Sequence, residues 1–155
     1  MRRLIWAWVV ALCLSPAAMV AHADEEKRLT LEVIRAEKKL MVSKNLKLTK
    51  MEAAGFWPVY DDFQKELQRL NGRRAKVIET YAKNYETLSN KLAKDLLAQA
   101  LTLDEARANM KKLYFLKFKK VLPANKMVRY YQLESRLETV IRYELGTRIP
   151  LAEVD

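Results

Sequence analysis

Apolar residues recur at helical spacing along most of the chain beyond residue 48. Positions 56, 60, 63, 67 and 70 are all aromatic residues or leucine, and they fall on one helical face. The same spacing resumes from Val77 to Leu96. The pattern predicts a long second helix that starts at Thr49. This helix either continues to about residue 99, or ends or bends at Asn71-Gly72, because both residue types tolerate a left-handed C-cap.

Three other amphipathic segments accompany this helix. The first runs from about Glu25 to Ser43, and the third from about Leu103 to Val121. The fourth follows Pro123, whose missing N–H suits a first helical turn, and Gly146 is its expected C-cap. No run of alternating β-branched residues is present, and helix formers dominate the composition. The pattern therefore predicts an all-α protein.

Two segments share the form L-T-x-x-E, and each predicts a helix start. In a capping box the Thr hydroxyl accepts from the N–H three residues on, and the Glu carboxylate accepts from the Thr N–H. The acid also meets the positive end of the helix dipole. The residues of the two predicted caps are Leu48, Thr49, Glu52, Leu101, Thr102 and Glu105.

The N-terminal segment has the three parts of a secretory signal. Two arginines follow Met1, an apolar run covers Leu4–Leu14, and Ala21–Ala23 has an A-x-A form. The apolar run breaks at Ser15-Pro16, short of the roughly 20 residues that a membrane-spanning helix needs. We therefore expect cleavage after Ala23, with residues 1–23 as signal peptide. Residues 24–155 would then form a single α-helical domain in the periplasm.

Cleavage at this point would also restrict the chemistry of the protein. The only cysteine, Cys13, and the only histidine, His22, lie in the segment removed. Serine–histidine and cysteine–histidine nucleophiles are then excluded, and zinc, nickel or cobalt would lack their favoured ligands. We expect no enzymatic activity, no metal and no cofactor. Removing Arg2 and Arg3 lowers the formal charge from +10 to +8, and the export signal argues against nucleic acid as the partner.

Two groups of residues are candidates for binding. An aromatic group flanks Pro58, a residue that also predicts a kink or a broken first turn near residues 54–57. This group is expected to form the core or a dimer seam, and its members are Phe56, Trp57, Tyr60 and Phe63. The second group is a basic stripe of the third helix with adjacent aromatic residues. Its candidate client-binding residues are Arg107, Lys111, Lys112, Tyr114, Lys117 and Phe118, and the alternative for the stripe is an ordinary solvated face.

The paired motif resembles the repeated L-T-x-x-Q of the Spy/CpxP-like periplasmic proteins, with Glu52 and Glu105 in place of Gln. Phe56–Gln64, Val121–Ala124 and Tyr131–Glu134 are similar to segments of exported bacterial proteins at the edge of that family. The resemblance spans about residues 46–151. It implies a bent antiparallel helical hairpin of about four helices that pairs into a cradle-like homodimer. Family members act as ATP-independent chaperones, as regulators of envelope stress sensing, or as metal-responsive proteins.

These features together predict a periplasmic binding protein of chaperone or stress-adaptor type. Its partners would be unfolded or acidic protein clients, drawn to a basic and partly apolar helical surface. Two alternatives stay open on sequence alone. One is a dedicated regulatory partner of an envelope sensor domain. The other is a structural envelope protein with weak contact to anionic membrane.

Overall fold

The computed structural model describes residues 32–152, and every regular element in this range is helical. Helix α1 covers residues 32–46, α2 Lys50–Asn84, α3 Asn90–Phe118 and α4 Ala124–Arg148. A 3-10 turn, Tyr85–Thr87, follows α2. Within the described residues there is no strand, so the predicted all-α class is confirmed. The predicted signal peptide and its cleavage site lie outside these residues, as does the predicted start of the first helix.

Contacts divide the chain into two units, Met1–Met41 and Val42–Asp155. Of the first unit, residues 32–41 are described, and all of them are helical. The second unit includes the last turn of α1, where Val42 and Leu46 are almost completely buried. The helix ends at Leu46, and the next residue, Lys47, has a φ of 45° in the left-handed region that turns the chain towards α2.

Helices α2 and α3 run antiparallel in the second unit. The Phe63 and Tyr114 rings are 5.2 Å apart, and the Phe56 and Phe118 rings are 5.6 Å apart, so rising numbers in α2 meet falling numbers in α3. The helices approach closely at Gly55, where an added Cβ would lie 3.1 Å from the Val121 side chain. This glycine therefore sets how near the end of α3 lies to α2.

Helix α4 contacts both of these helices and runs parallel to α2. The Gln64 amide donates to Glu134 over 2.9 Å, and the Tyr81 hydroxyl donates to the Pro150 carbonyl over 3.0 Å further along. Helix α4 runs antiparallel to α3, because Tyr130 contacts Phe118 and, further along α4, Glu138 contacts the earlier residue Arg107. The core is therefore enclosed by three helices, with the last turn of α1 added at one end.

Helix α2 is continuous through two points where the sequence predicted an interruption. It passes Pro58 and Asn71-Gly72 without leaving α-helical geometry, so a broken first turn is excluded. Of the two alternatives for its extent, neither an end at residues 71–72 nor a continuous helix to about residue 99 is observed. The break comes later, between Asn84 and Asn90. Packing explains the result, because buried residues on both sides of Pro58, Phe56 and Tyr60, hold the backbone in place.

The predicted start of the third helix is also wrong. Helix α3 begins at Asn90, after the N-cap Ser89, whose hydroxyl accepts from the Leu92 N–H over 3.2 Å. The predicted end of the fourth helix at Gly146 is two residues early, because α4 continues to Arg148. Its predicted start is close to the observed one, with Pro123 at the N-cap and Ala124 as the first helical residue.

Candidate functional site

The aromatic side chains of three helices form one cluster at the centre of the core. Tyr130 of α4 lies 5.2 Å from Phe56 of α2 and 4.8 Å from Phe118 of α3, measured between ring centres. Several of these pairs are edge-to-face, the arrangement that the ring quadrupole favours. Burial raises the pKa of the Tyr60 and Tyr130 hydroxyls, so both stay neutral under ordinary conditions.

The predicted core assignment of the aromatic group is confirmed for Phe56, Tyr60 and Phe63, which are 5% exposed or less. Trp57 is half-buried and packs against the same cluster. Its ring lies 5.0 Å from that of Phe56 in an edge-to-face contact. A role for this group in a dimer seam stays a prediction.

The first L-T-x-x-E segment forms the predicted capping box. The Thr49 N–H donates to the Glu52 carboxylate over 2.7 Å, and the Glu52 N–H donates to the Thr49 hydroxyl over 3.2 Å. Lys126 of α4 also reaches this carboxylate, over 2.6 Å, and donates to the Lys47 carbonyl over 2.9 Å. The hydrogen bond from Lys126 and that from the Thr49 backbone lower the pKa of Glu52. Leu48 packs against the core beside this box.

The second L-T-x-x-E segment is not a helix cap, which corrects the prediction. Thr102 and Glu105 lie in the interior of α3, and the Thr102 hydroxyl donates to the Ala98 carbonyl over 2.9 Å. The backbone N–H groups here are already used by the preceding turn, so nothing remains for a cap to satisfy. Leu101 is 61% exposed, unlike Leu48.

The predicted basic and aromatic stripe does not form one exposed face. Tyr114 and Phe118 belong to the core, and Arg107 is only 9% exposed. The Lys111 ammonium pairs with Glu138, and that of Lys117 lies 4.4 Å from the centre of the Tyr114 ring. Lys112 and Lys117 are the exposed cations among the six, and neither has an ion pair with another described residue. The prediction that these six residues form one binding surface is therefore wrong, because the two aromatic residues and the arginine are buried.

A polar network links α2, α3 and α4, and sequence analysis missed it. Arg107 Nη1 lies 3.5 Å from Glu138, which also binds Lys111 and lies 3.1 Å from Arg142. Arg107 Nη2 also donates to the Asn71 side chain of α2. One feature of the sequence indicates that Arg107 is buried. Residues 103, 107, 110 and 114 share one helical face, and the three besides Arg107 are apolar.

A second carboxylate extends the network. Asp104 of α3 binds Arg74 of α2 and lies 3.3 Å from Arg142 of α4. Burial raises the pKa of Glu138 and of Asp104, but the nearby cations outweigh burial and leave both values below their usual range. Burial lowers the pKa of Arg107. The network joins all three helices, with four cations around two carboxylates.

An apolar cavity of about 50 Å³ lies between α3 and α4, beside the aromatic cluster. Phe115 of α3 and Tyr131 of α4 are among its lining residues, and they are 48% and 60% exposed. Lys111 and Glu134 provide its polar lining together with Ser135. We call this feature the α3–α4 groove, defined by Phe115, Tyr131 and the cavity between them. It is an apolar recess with exposed aromatic walls.

No described helix is long and apolar enough to cross a membrane. Among residues 32–152, no group of three or more His, Cys, Asp or Glu side chains is arranged to hold a metal ion. Comparison with protein-family models, with curated proteins and with solved structures finds no match for this chain.

Proposed function

We propose that this protein is an exported, ATP-independent binding protein of chaperone or stress-adaptor type. It would hold apolar segments of unfolded, acidic clients in the α3–α4 groove. The observation that supports this function is the exposure of Phe115 and Tyr131, 48% and 60%, on the walls of an apolar cavity. Large apolar side chains around a recess are typical of surfaces that bind other proteins.

The outer flank of α3 extends this groove. Leu97, Leu101, Ala108 and Phe115 are separated by four, seven and seven residues, so they follow one face of the helix. Leu97 and Leu101 are 62% and 61% exposed. An extended apolar segment of a client would find contacts along this flank, with one side chain anchored between the aromatic walls.

Charge favours acidic clients at the same flank. Lys112 and Lys119 lie three residues before and four residues after Phe115, so all three side chains share a face of α3. Both lysines are exposed. Such cations attract an acidic segment over about a Debye length, roughly 10 Å at 0.1 M salt, and apolar contacts then hold it.

The resemblance to Spy/CpxP-like proteins adds a finer proposal, a bent hairpin paired as a cradle-like homodimer in the periplasm. It is supported by Val140 and Ile141 in the second half of α4, which are 61% and 57% exposed. A dimer would cover such side chains. Sedimentation of the purified protein tests the pairing, and mass determination of its N-terminus tests cleavage after Ala23. A monomer at all concentrations would contradict the dimer.

The binding function is tested by suppression of client aggregation without ATP. The double variant Phe115→Ser/Tyr131→Ser is expected to lose about 10-fold or more in protection, because removing two exposed aromatic anchors costs about 1.4 kcal/mol or more of binding. The control is Leu116→Ser/Tyr143→Ser, which removes two apolar side chains, 57% and 70% exposed, that do not line the groove.

Two results would contradict the proposal. The first is the absence of protection by the unmodified protein at severalfold molar excess, with several clients and at low salt. The second is equal loss of protection in the groove variant and in the control. Capture of one stoichiometric envelope partner, with no general protection, would instead indicate the regulatory alternative.

A further inference from the structure

One end of the helical unit carries most of its unbalanced positive charge. Residues 44–52 and 117–129 contain eight Lys and Arg side chains and a single carboxylate, that of Glu52. Lys126 joins the two segments, since its ammonium binds both Glu52 and the Lys47 carbonyl. Gly55 and Val121 also bring them together. We call these two segments the basic end.

A cavity of about 610 Å³ opens at the basic end, between residues 44–47 and the first turns of α4. Its lining includes Lys44, Lys47, Lys126 and Arg129 and contains no carboxylate. The amide side chains of Asn45, Asn125 and Gln132 complete its polar lining. This volume lies within the range of pockets that hold small ligands, and the lining chemistry selects an anion.

Three of these cations are available to a ligand. Lys44, Lys47 and Arg129 are exposed, and none of them has an ion pair with another described residue. Lys126 plays a different part, because its contacts with Glu52 and with Lys47 fix the loop after α1 against α4. The backbone segments that carry the three available charges are therefore joined across the cavity.

We propose that the basic end binds the phosphate groups of an anionic phospholipid surface, with one headgroup in this cavity. The lysines supply point charges, and the Arg129 guanidinium supplies paired donors that match phosphate geometry. The N-terminus of α4 and the C-terminus of α1 lie on opposite sides of the cavity, so its positive potential comes from the side chains. This site is separate from the α3–α4 groove and does not depend on the function proposed for it.

The position of Met51 favours a lipid surface over a soluble polyanion. This side chain is 87% exposed in the first turn of α2, between Lys50 and Glu52 of the basic end. An unbranched apolar side chain beside lysines can enter the boundary between headgroups and acyl chains while the cations stay among the phosphates. A nucleic acid or an acidic peptide would leave it in water.

The test is binding to vesicles of phosphatidylcholine alone and of phosphatidylcholine mixed with phosphatidylglycerol. The protein is purified as cells produce it, and the binding that depends on phosphatidylglycerol is measured by co-sedimentation. The variant Lys44→Gln/Lys47→Gln/Arg129→Gln is expected to bind about 100-fold more weakly, at roughly fivefold for each cation near the surface. Binding of the unmodified protein is expected to fall steeply with added salt.

A matched control separates the site from net charge. Lys76→Gln/Lys91→Gln/Lys94→Gln removes the same number of charges from exposed positions of α2 and α3 outside the basic end. This control is expected to keep most of the binding. Equal losses in both triple variants would overturn the proposal, because only net charge would then matter. Circular dichroism shows whether each variant is folded, and the single variant Arg129→Glu repeats the test if the triple variant is not.

Competition experiments show whether the bound phosphate belongs to a lipid headgroup or to a soluble compound. Inorganic phosphate and glycerol phosphate, added as competitors, are expected to displace the protein only at high concentration, because they lack the surface. Strong displacement by either one would overturn the lipid assignment in favour of a soluble phosphate. Equal binding to phosphatidylcholine alone, or binding to DNA or polyglutamate without binding to vesicles, would also overturn it.

Discussion

Threonines in the two L-T-x-x-E segments show how one residue type takes different roles. Thr49 lies outside its helix and satisfies a backbone N–H that has no other acceptor. Thr102 lies within α3, and its hydroxyl adds a second donor to a carbonyl that the helix already uses. The local sequence is the same, so the difference comes from whether the preceding turn is helical.

This difference predicts opposite outcomes for two alanine substitutions. Thr49→Ala is expected to lower the free energy of unfolding by about 1 kcal/mol, because the cap is lost. Thr102→Ala is expected to leave it unchanged or to raise it by a few tenths of a kcal/mol, because alanine is the better helix former. Urea unfolding of both variants measures the effects. A similar loss in both would contradict the assignment of the caps.

Sequence alone located the starts of α2 and α4 well because their signals are local. Thr49 with Glu52, and Pro123 before Ala124, are caps that the neighbouring residues determine. The start of α3 was misplaced because Ser89 gives a weaker signal than the L-T-x-x-E at residues 101–105. The break after Asn84 was missed because the apolar pattern continues across it.

The inward position of Arg107 was harder to predict, because it depends on partners far along the chain. Asn71 lies 36 residues before it and Glu138 lies 31 residues after it. A charged residue on an apolar helical face is stable only where other helices bring a carboxylate and hydrogen-bond acceptors to it. The α3–α4 groove was not predicted either, because its walls come from two helices that are separate in the sequence.

At the scale of helix packing, two glycines within α2 provide a test of the approach to α3. An added Cβ at Gly72 meets no atom within 4 Å, whereas one at Gly55 lies 3.1 Å and 3.2 Å from Val121. Neither glycine has a positive φ, so alanine suits the backbone at both positions. The two substitutions therefore differ only in the space around the new methyl group.

Gly72→Ala is expected to raise the free energy of unfolding by about 0.5–1 kcal/mol, the gain in helix propensity. Gly55→Ala is expected to gain about 1 kcal/mol less than Gly72→Ala, because Val121 has to shift. Thermal or urea unfolding distinguishes the two. An equal gain at both positions would show that α3 ends further from α2 than described.

At the scale of the whole molecule, the polar network attaches α4 to the other two helices. Beyond Tyr130, α4 has no further buried residue in the described part of the chain, so its second half depends more on charge than on apolar burial. Two carboxylates provide these charge contacts. Glu138 of α4 pairs with cations of α3, and Asp104 of α3 pairs with one cation of α2 and one of α4. The stability of the assembled helices should therefore depend on the protonation of these two carboxylates.

Both carboxylates have pKa values below their ordinary 4.5 and 3.8 in the folded protein. Their stabilisation is therefore present above those ordinary values and is lost as the pH falls through the lower values of the folded state. We expect the free energy of unfolding to decrease steadily as the pH falls below about 4. The variant Glu138→Gln/Asp104→Asn should show a smaller decrease between pH 7 and pH 3. If the free energy of unfolding of the double variant fell as much as that of the unmodified protein, other groups would be responsible for the acid sensitivity.

The concentration of cations at the basic end has an electrostatic consequence for the whole unit. Two helix N-termini, those of α2 and α4, and two C-termini, those of α1 and α3, meet at the basic end, so the helix dipoles largely cancel there and its positive charge comes from the side chains. The uneven distribution of the lysines and arginines along the unit gives it a permanent dipole moment directed towards the basic end. Two positively charged copies therefore repel each other most when their basic ends face each other, and least when they lie side by side and point in opposite directions.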